Sequence, residues 1–139
     1  MTPGEARDRF ATARIARLAT ADGHGVPHLV PITFALTDDE ILSAVDHKPK
    51  RSTALRRLAN LAANPRVAVL VDAYDEDWSR LWWARADGTA EVLHDATSLR
   101  QAQDLLRERY PQYADVPIDG PVIRIRVEAR SGWEFAAGG

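Results

Sequence analysis

Lys48, Lys50, Arg51 and Ser52 fall within five consecutive residues, and together they form the donor set of an anion seat. An ammonium is a compact point charge that suits a phosphate, whereas a guanidinium is a planar fork. The chain holds 16 Arg and 2 Lys, and both lysines lie in Lys48-Pro49-Lys50. Ser52 stands where a helix N-cap belongs; Leu55, Leu58, Ala59 and Ala62 follow at helical spacing, until Asn64-Pro65 ends the pattern. A helix start presents unpaired N–H groups and a partial positive charge to any anion. A carboxylate in the first turn is the usual answer to that charge, and this helix has none. From His47 to Val71 there is no acidic residue but six cations, Lys48, Lys50, Arg51, Arg56, Arg57 and Arg66, in a chain of net charge -2. A solvated basic loop is the commoner fate of a charge run. The strand-loop-helix context favours the anion site here.

Aromatic residues are the second concentration of chemistry. Trp78, Trp82 and Trp83 lie within six residues. On one strand Trp82 and Trp83 point to opposite faces, so one can fill a core while the other needs a cover. A partner subunit, a flat aromatic ligand, or a loop crossing the outer surface would each provide it. His24, His28, His47 and His94 lack the i, i+4 spacing of a metal pair, and no metal site is expected. His28 can face a ligand and His47 abuts the basic loop, although solvation is the plainer reading for each. Asp75, Glu76 and Asp77 read as a solvated turn. There is no Gly-x-Ser-x-Gly, Walker or Gly-rich phosphate loop.

The elements that position these groups follow from periodicity and punctuation. Thr2, Pro3 and Glu5 open a helix over residues 2–13, a lid packed by Phe10. Strands are expected over residues 14–20, 26–36 and 40–45, the first two joined by the turn at residues 21–25. Pro27 and Pro31 cannot donate to a ladder, so the second strand is bulged or lies at an edge. The apolar run after Arg66 reads as a buried strand. Asp87-Gly88 signals a hairpin between residues 80–86 and 89–93. A helix over residues 95–109 carries Leu99, Ala102, Leu105 and Leu106. A strand over residues 121–129 follows, with a short last one at residues 133–135. Hairpin connections of this kind predict a mainly β, antiparallel sheet closing into a barrel with flanking helices.

The 139 residues suffice for one domain, residues 1–139, with 45% apolar and 27% charged residues. No cysteine is present, which removes disulfides, thiol catalysis and cysteine metal sites. The N-terminus has no signal-peptide pattern, and no apolar run nears the roughly 18 residues of a membrane span. A cytoplasmic location with no membrane partner is expected. Confinement of the excess positive charge to one stretch argues against nucleic-acid binding.

The ordered set Arg17-Leu-Ala-Thr20, Gly25-Val-Pro-His-Leu-Val-Pro31, Val45-Asp-His-Lys-Pro-Lys50, Asn64-Pro-Arg-Val67 and Trp78…Leu81-Trp-Trp83 resembles the pyridoxamine-phosphate-oxidase-like split β-barrel superfamily. The Lys-Pro-Lys loop and the Asp-Trp-Ser-x-Leu-Trp-Trp segment are most similar to its deazaflavin-dependent branch, oxidoreductases that use coenzyme F-420. The resemblance implies a six-stranded antiparallel split barrel and a homodimer with the cofactor between subunits. It implies a cofactor phosphate on Lys48, Lys50, Arg51 and Ser52, and a ring along Val30, Pro31, Ile32, Ala44, Val45 and Asp46. Trp78, Trp82 or Trp83 of the other subunit would close the site. Flavin oxidases of the superfamily carry an Arg on the second strand, where this chain offers His28, which speaks against a pyridoxal-phosphate-synthesising role. The expected activity is hydride transfer from reduced coenzyme F-420 to a small unsaturated substrate. Arg56 and Arg57 would serve the glutamate tail of that cofactor. The alternatives are an FMN-dependent oxidase or reductase of the same fold, and a non-catalytic module for a cofactor or haem-type ligand.

Overall fold

The computed structural model describes residues 1–45 and 51–136, with the backbone alone for 51–55. The helix α1 (Pro3–Thr12) opens as expected: the Thr2 hydroxyl accepts from the Glu5 amide while the Glu5 carboxylate reaches back to Thr2. Its Ala6 and Phe10 are buried, and Phe10 meets Phe34 edge-on at 6.0 Å. The strands are β1 (Ala16–Ala21), β2 (Pro27–Ile32), β3 (Ala35–Leu36), β4 (Glu40–Ala44), β5 (Arg66–Ala73), β6 (Trp82–Leu93) and β7 (Val122–Glu134). The helices α2 (Arg51–Ala63) and α3 (Ala96–Arg109) follow β4 and β6. Single 3-10 turns lie at Trp78–Arg80 and Pro111–Ala114.

All ladders are antiparallel, in the order β2-β1-β5-β6-β7-β4-β3. Laid flat, the two edge strands would stand six spacings of about 4.8 Å apart, roughly 29 Å. Only Thr33 and Phe34 join them, a link that reaches about 11 Å at most. The sheet must therefore curl until its edges approach, which makes a half-closed, split barrel. Inward residues Leu18, Val30, Ile32, Ile41, Val69, Val71, Ala84, Ala86, Ile123 and Ile125 form its core together with Phe10 and Phe34.

Four expectations are corrected. The sheet has seven strands among the described residues, not six, because the run expected over residues 26–36 breaks at Thr33-Phe34 as the chain steps from one edge to the other. Asp87-Gly88 is no hairpin; β6 passes straight through it, and the register against β7 shifts there by one residue. Gly88 sits so close to the Arg126 carbonyl that a Cβ would collide with its oxygen, so the glycine serves close approach at a bulge. The two last expected strands are one, β7, since the chain continues through Ser131 and Gly132 against β6. The described α2 starts at Arg51, which puts Ser52 inside its first turn, and it buries Asn60 and Leu61 while Ala59 and Ala62 are exposed. A leucine three residues after Leu58 draws the covered face toward itself, because leucine removes more apolar area from water than alanine.

Candidate functional site

Pro27 and Pro31 place β2 at a sheet edge, as their missing N–H groups require: one side of β2 pairs with β1 along its whole length, and no ladder occupies the other among the described residues. The facing edge belongs to β4, which pairs with β7 from Glu40 to Ala44 but with β3 only at Ile41 and Leu42. Beyond Leu42, the β4 edge toward β2 therefore carries no ladder among the described residues. The Ser43 hydroxyl donates to the Thr33 carbonyl at 2.9 Å, where the two edges converge. The result is a seam between residues 30–32 and 43–45. Of the expected ring residues it brings together Val30, Ile32 and Val45, which share one buried cluster; Ala44 belongs to a separate cluster with Leu106, Tyr110 and Tyr113, and Pro31 is exposed on the rim.

At the far end of β4 the chain enters the basic segment. Asp46, Lys48 and Lys50 lie outside the described residues, as do the side chains of Arg51 and Ser52. Arg56 is exposed on α2, and Arg57 is half-buried on the side turned to the sheet. An acidic group absent from the local sequence sits near Arg56: Asp22. Its carboxyl is held below the usual range chiefly by the Val26 and His24 amides, with His24 and Arg56 adding small attractions. Beneath α2, the Asn60 amide donates to the Thr20 hydroxyl at 3.0 Å in a buried pair. Thr20 is the register partner of His28, whose Nδ1 is buried with no hydrogen-bond partner among the described residues. Asn60 was missed from sequence because it reads as a surface residue, and no large apolar residue three or four positions away marks its face as covered.

The tryptophans separate as strand alternation requires. Trp82 faces the core, with the Arg9 guanidinium 4.8 Å from its ring, and Arg9 is tied to Glu134 at 2.7 Å. Trp83 faces out beside Trp133, its register partner on β7, with Arg85 5.8 Å from its ring. Trp78 is 61% exposed at the acidic turn, where the Asp77 carboxyl is lowered by the Ser79 hydroxyl and amide. Following the registers across the sheet, Leu29, Pro31, Arg17, Ala19, Leu70 and Trp83 share one outer face. Leu29 on that face is 67% exposed.

A polar depression on the outer side of β4, β6 and β7 is lined by Glu40, Thr89, Glu91, Arg124 and Arg126. It satisfies itself: Arg124 bonds Glu91 and lies 3.6 Å from Glu40, and the Glu91 hydrogen bond raises its pKa further. Among the described residues no cluster of His, Cys, Asp or Glu could hold a metal ion, and no helix is long and apolar enough to cross a membrane.

The family model described as pyridoxamine 5'-phosphate oxidase matches residues 2–134. The chain belongs to the pyridoxamine 5'-phosphate oxidase family. Among characterised relatives, a 5a,11a-dehydrotetracycline/5a,11a-dehydrooxytetracycline reductase of Streptomyces rimosus is 39% identical over 56 residues, 40% of this chain and 38% of that protein. The match thus spans about two fifths of either chain. Among solved structures, a FAD-binding protein from Mesorhizobium loti superposes with a TM-score of 0.76 at 24% identity, covering 98% of this chain and 96% of its own. The haem storage protein HutZ from Vibrio cholerae gives 0.69 at 17% identity, with 94% and 92% covered. At such identities the structures establish the shared fold.

Proposed function

We propose that the chain is an oxidoreductase that holds reduced coenzyme F-420 in the seam and delivers its hydride to a small unsaturated substrate. The observation that carries this reading is the seam, whose β4 edge runs directly into the lysine-bearing segment ahead of α2. Open strand edges offer main-chain donors and acceptors to the heteroatoms of a flat ring. The buried, unpartnered Nδ1 of His28 is a further polar atom left for a ligand. Lys48, Lys50 and Arg51, with the helix start behind them, supply the charge for a phosphate. Arg56, one turn on and exposed, suits an anionic tail. A reduced deazaflavin supplies the hydride itself, so the chain's residues bind, orient and exclude water rather than form a triad. The site is completed by a second copy of the chain: Trp78 and Trp83 point outward and are available to close the seam, whereas Trp82 is engaged in the core. The reductase relative supports a redox role. The FAD-binding neighbour supports a second reading, an FMN-dependent enzyme using the same seam.

The test is a titration of the purified protein with coenzyme F-420 and with FMN, followed by tryptophan quenching. Coenzyme F-420 should bind more tightly at low salt, and its advantage should shrink as salt screens the exposed tail contacts. Lys50→Ala should weaken binding by about ten- to a hundredfold, the worth of one charge-assisted hydrogen bond. Tighter FMN binding at low salt would favour the flavin reading. A haem spectrum on the isolated protein would favour a storage role.

A further inference from the structure

The two residues that join the sheet edges are held by side chains from one short segment. Phe34 is fully buried and lies off both ladders, so its N–H must find a partner elsewhere. It donates to the Tyr110 hydroxyl at 3.1 Å, and that hydroxyl donates in turn to the Arg14 carbonyl at 3.0 Å, just ahead of β1. The Thr33 hydroxyl meets the Tyr113 hydroxyl at 2.6 Å, while the Thr33 carbonyl accepts from Ser43. Tyr110 and Tyr113 are both buried and stack edge to face at 5.9 Å. The segment bearing them is itself anchored. Arg109 donates to the carbonyls of Phe10 at 3.1 Å, Ala11 at 3.2 Å and Ala13 at the end of α1, and its guanidinium lies 4.6 Å from the Phe34 ring. Arg14 returns a bond to the Arg109 carbonyl at 2.6 Å.

From this geometry we infer that Tyr110 and Tyr113 are positioning residues that fix the hinge of the seam and so set the gap between β2 and β4. The seam edges share no ladder among the described residues, so beyond the packing of Val30, Ile32 and Val45 their separation is set from one end, by the clamp at Thr33-Phe34. The hydroxyls of both tyrosines reach the seam through Thr33 and Phe34, and their rings share a buried cluster with Ala44. For its ligand consequence this inference rests on the proposed function. The hinge itself does not depend on it.

Tyr113→Phe and Thr33→Val each remove one side of the hydrogen bond between the two hydroxyls at nearly constant volume. In amide hydrogen exchange, peptides over residues 28–36 and 40–45 should exchange about three- to tenfold faster in either variant, the net worth of one hydrogen bond. The double variant should show no further gain over Tyr113→Phe, and peptides from β5 and β6 should exchange as in the wild type. The same variants should lose affinity for FMN and coenzyme F-420 by a similar factor. Unchanged exchange in the seam peptides, or equal acceleration of every peptide, would overturn the clamp. A wild type that binds neither cofactor would sink the proposed function, while the exchange result still decides the hinge. Tyr110→Phe, which strands both the Phe34 N–H and the Arg14 carbonyl, should give the larger effect if it folds; Tyr113→Phe decides the matter if it does not.

Discussion

Asn60 shows how a single residue can be misjudged from sequence. Asparagine belongs on surfaces by composition, yet here it is 5% exposed, because Leu61 and Leu58 turn that face of α2 onto the sheet. Burial of an amide is tolerable only with a partner, and Thr20 is that partner. Asn60→Ala should therefore cost about 1–3 kcal/mol, since it strands the Thr20 hydroxyl. Adding Thr20→Val should recover much of the loss. Urea unfolding midpoints of the two single variants and the double check both points, and an additive double would refute the pairing. His28 belongs to the same neighbourhood. Its motif position was legible, whereas the burial of its Nδ1 without a partner among the described residues was not, because burial depends on tertiary packing.

At the scale of elements, the glycines and caps carry the sharpest expectations. Asp87-Gly88 has the composition of a hairpin turn, but β5 pairs with β6 from Trp82 to Thr89 and β7 along its whole length, so the dipeptide has ladder partners on both sides. Local turn preference is worth little against two ladders, and the glycine is used instead to admit the Arg126 carbonyl. Gly88→Ala should destabilise the fold by about 1–3 kcal/mol or more through overpacking against backbone, read as a lowered Tm. The start of α3 gives a pH expectation. The Asp95 carboxyl accepts from the Ser98 amide, and that bond, with help from the Ser98 hydroxyl, holds its pKa below the ordinary value. A carboxyl depressed in the folded state contributes stability above its unfolded pKa, and that contribution is lost as pH falls through the folded pKa. Asp95→Asn keeps a capping oxygen but cannot titrate. The gap in urea midpoint between wild type and variant should thus be largest at pH 7 and should shrink toward pH 3, whereas a constant gap would deny the linkage.

At the scale of the molecule, the outer face of β2, β1, β5 and β6 is the feature in need of a cover. Leu29 and Trp83 share it, and Trp133 beside Trp83 is 44% exposed. A second copy would bury this face and bring Trp78 and Trp83 within reach of the neighbouring seam. An isologous two-fold dimer is expected at micromolar concentration in sedimentation, with an interface above about 2,000 Å². Leu29→Glu separates this from a folding effect. A side chain already exposed in the protomer costs within about 0.5 kcal/mol to replace, so Tm at dilute protomer should hold while the dimer weakens. A wild type that sediments as a monomer would defeat the idea.

The sequence by itself determined what rests on local chemistry. Thr2 and Glu5 announced the cap of α1, Pro27 and Pro31 put β2 at an edge, and the leucine and alanine spacing of α3 marked its buried stripe. The basic stretch and its family resemblance point to an anion seat at residues 48–52, on which the proposed function draws. Each of these depends on groups within a few residues of one another, where backbone geometry leaves few choices. The tertiary structure decided the rest. Only the curl of the sheet brings the open edges of β2 and β4 together, only neighbouring ladders override the turn at Asp87-Gly88, and only packing tells Trp82 from Trp83. It also set Asp22 near Arg56 and two tyrosines against the Thr33-Phe34 link. Those are contacts across dozens of residues, fixed by which surfaces can be buried at once, and no local pattern encodes them.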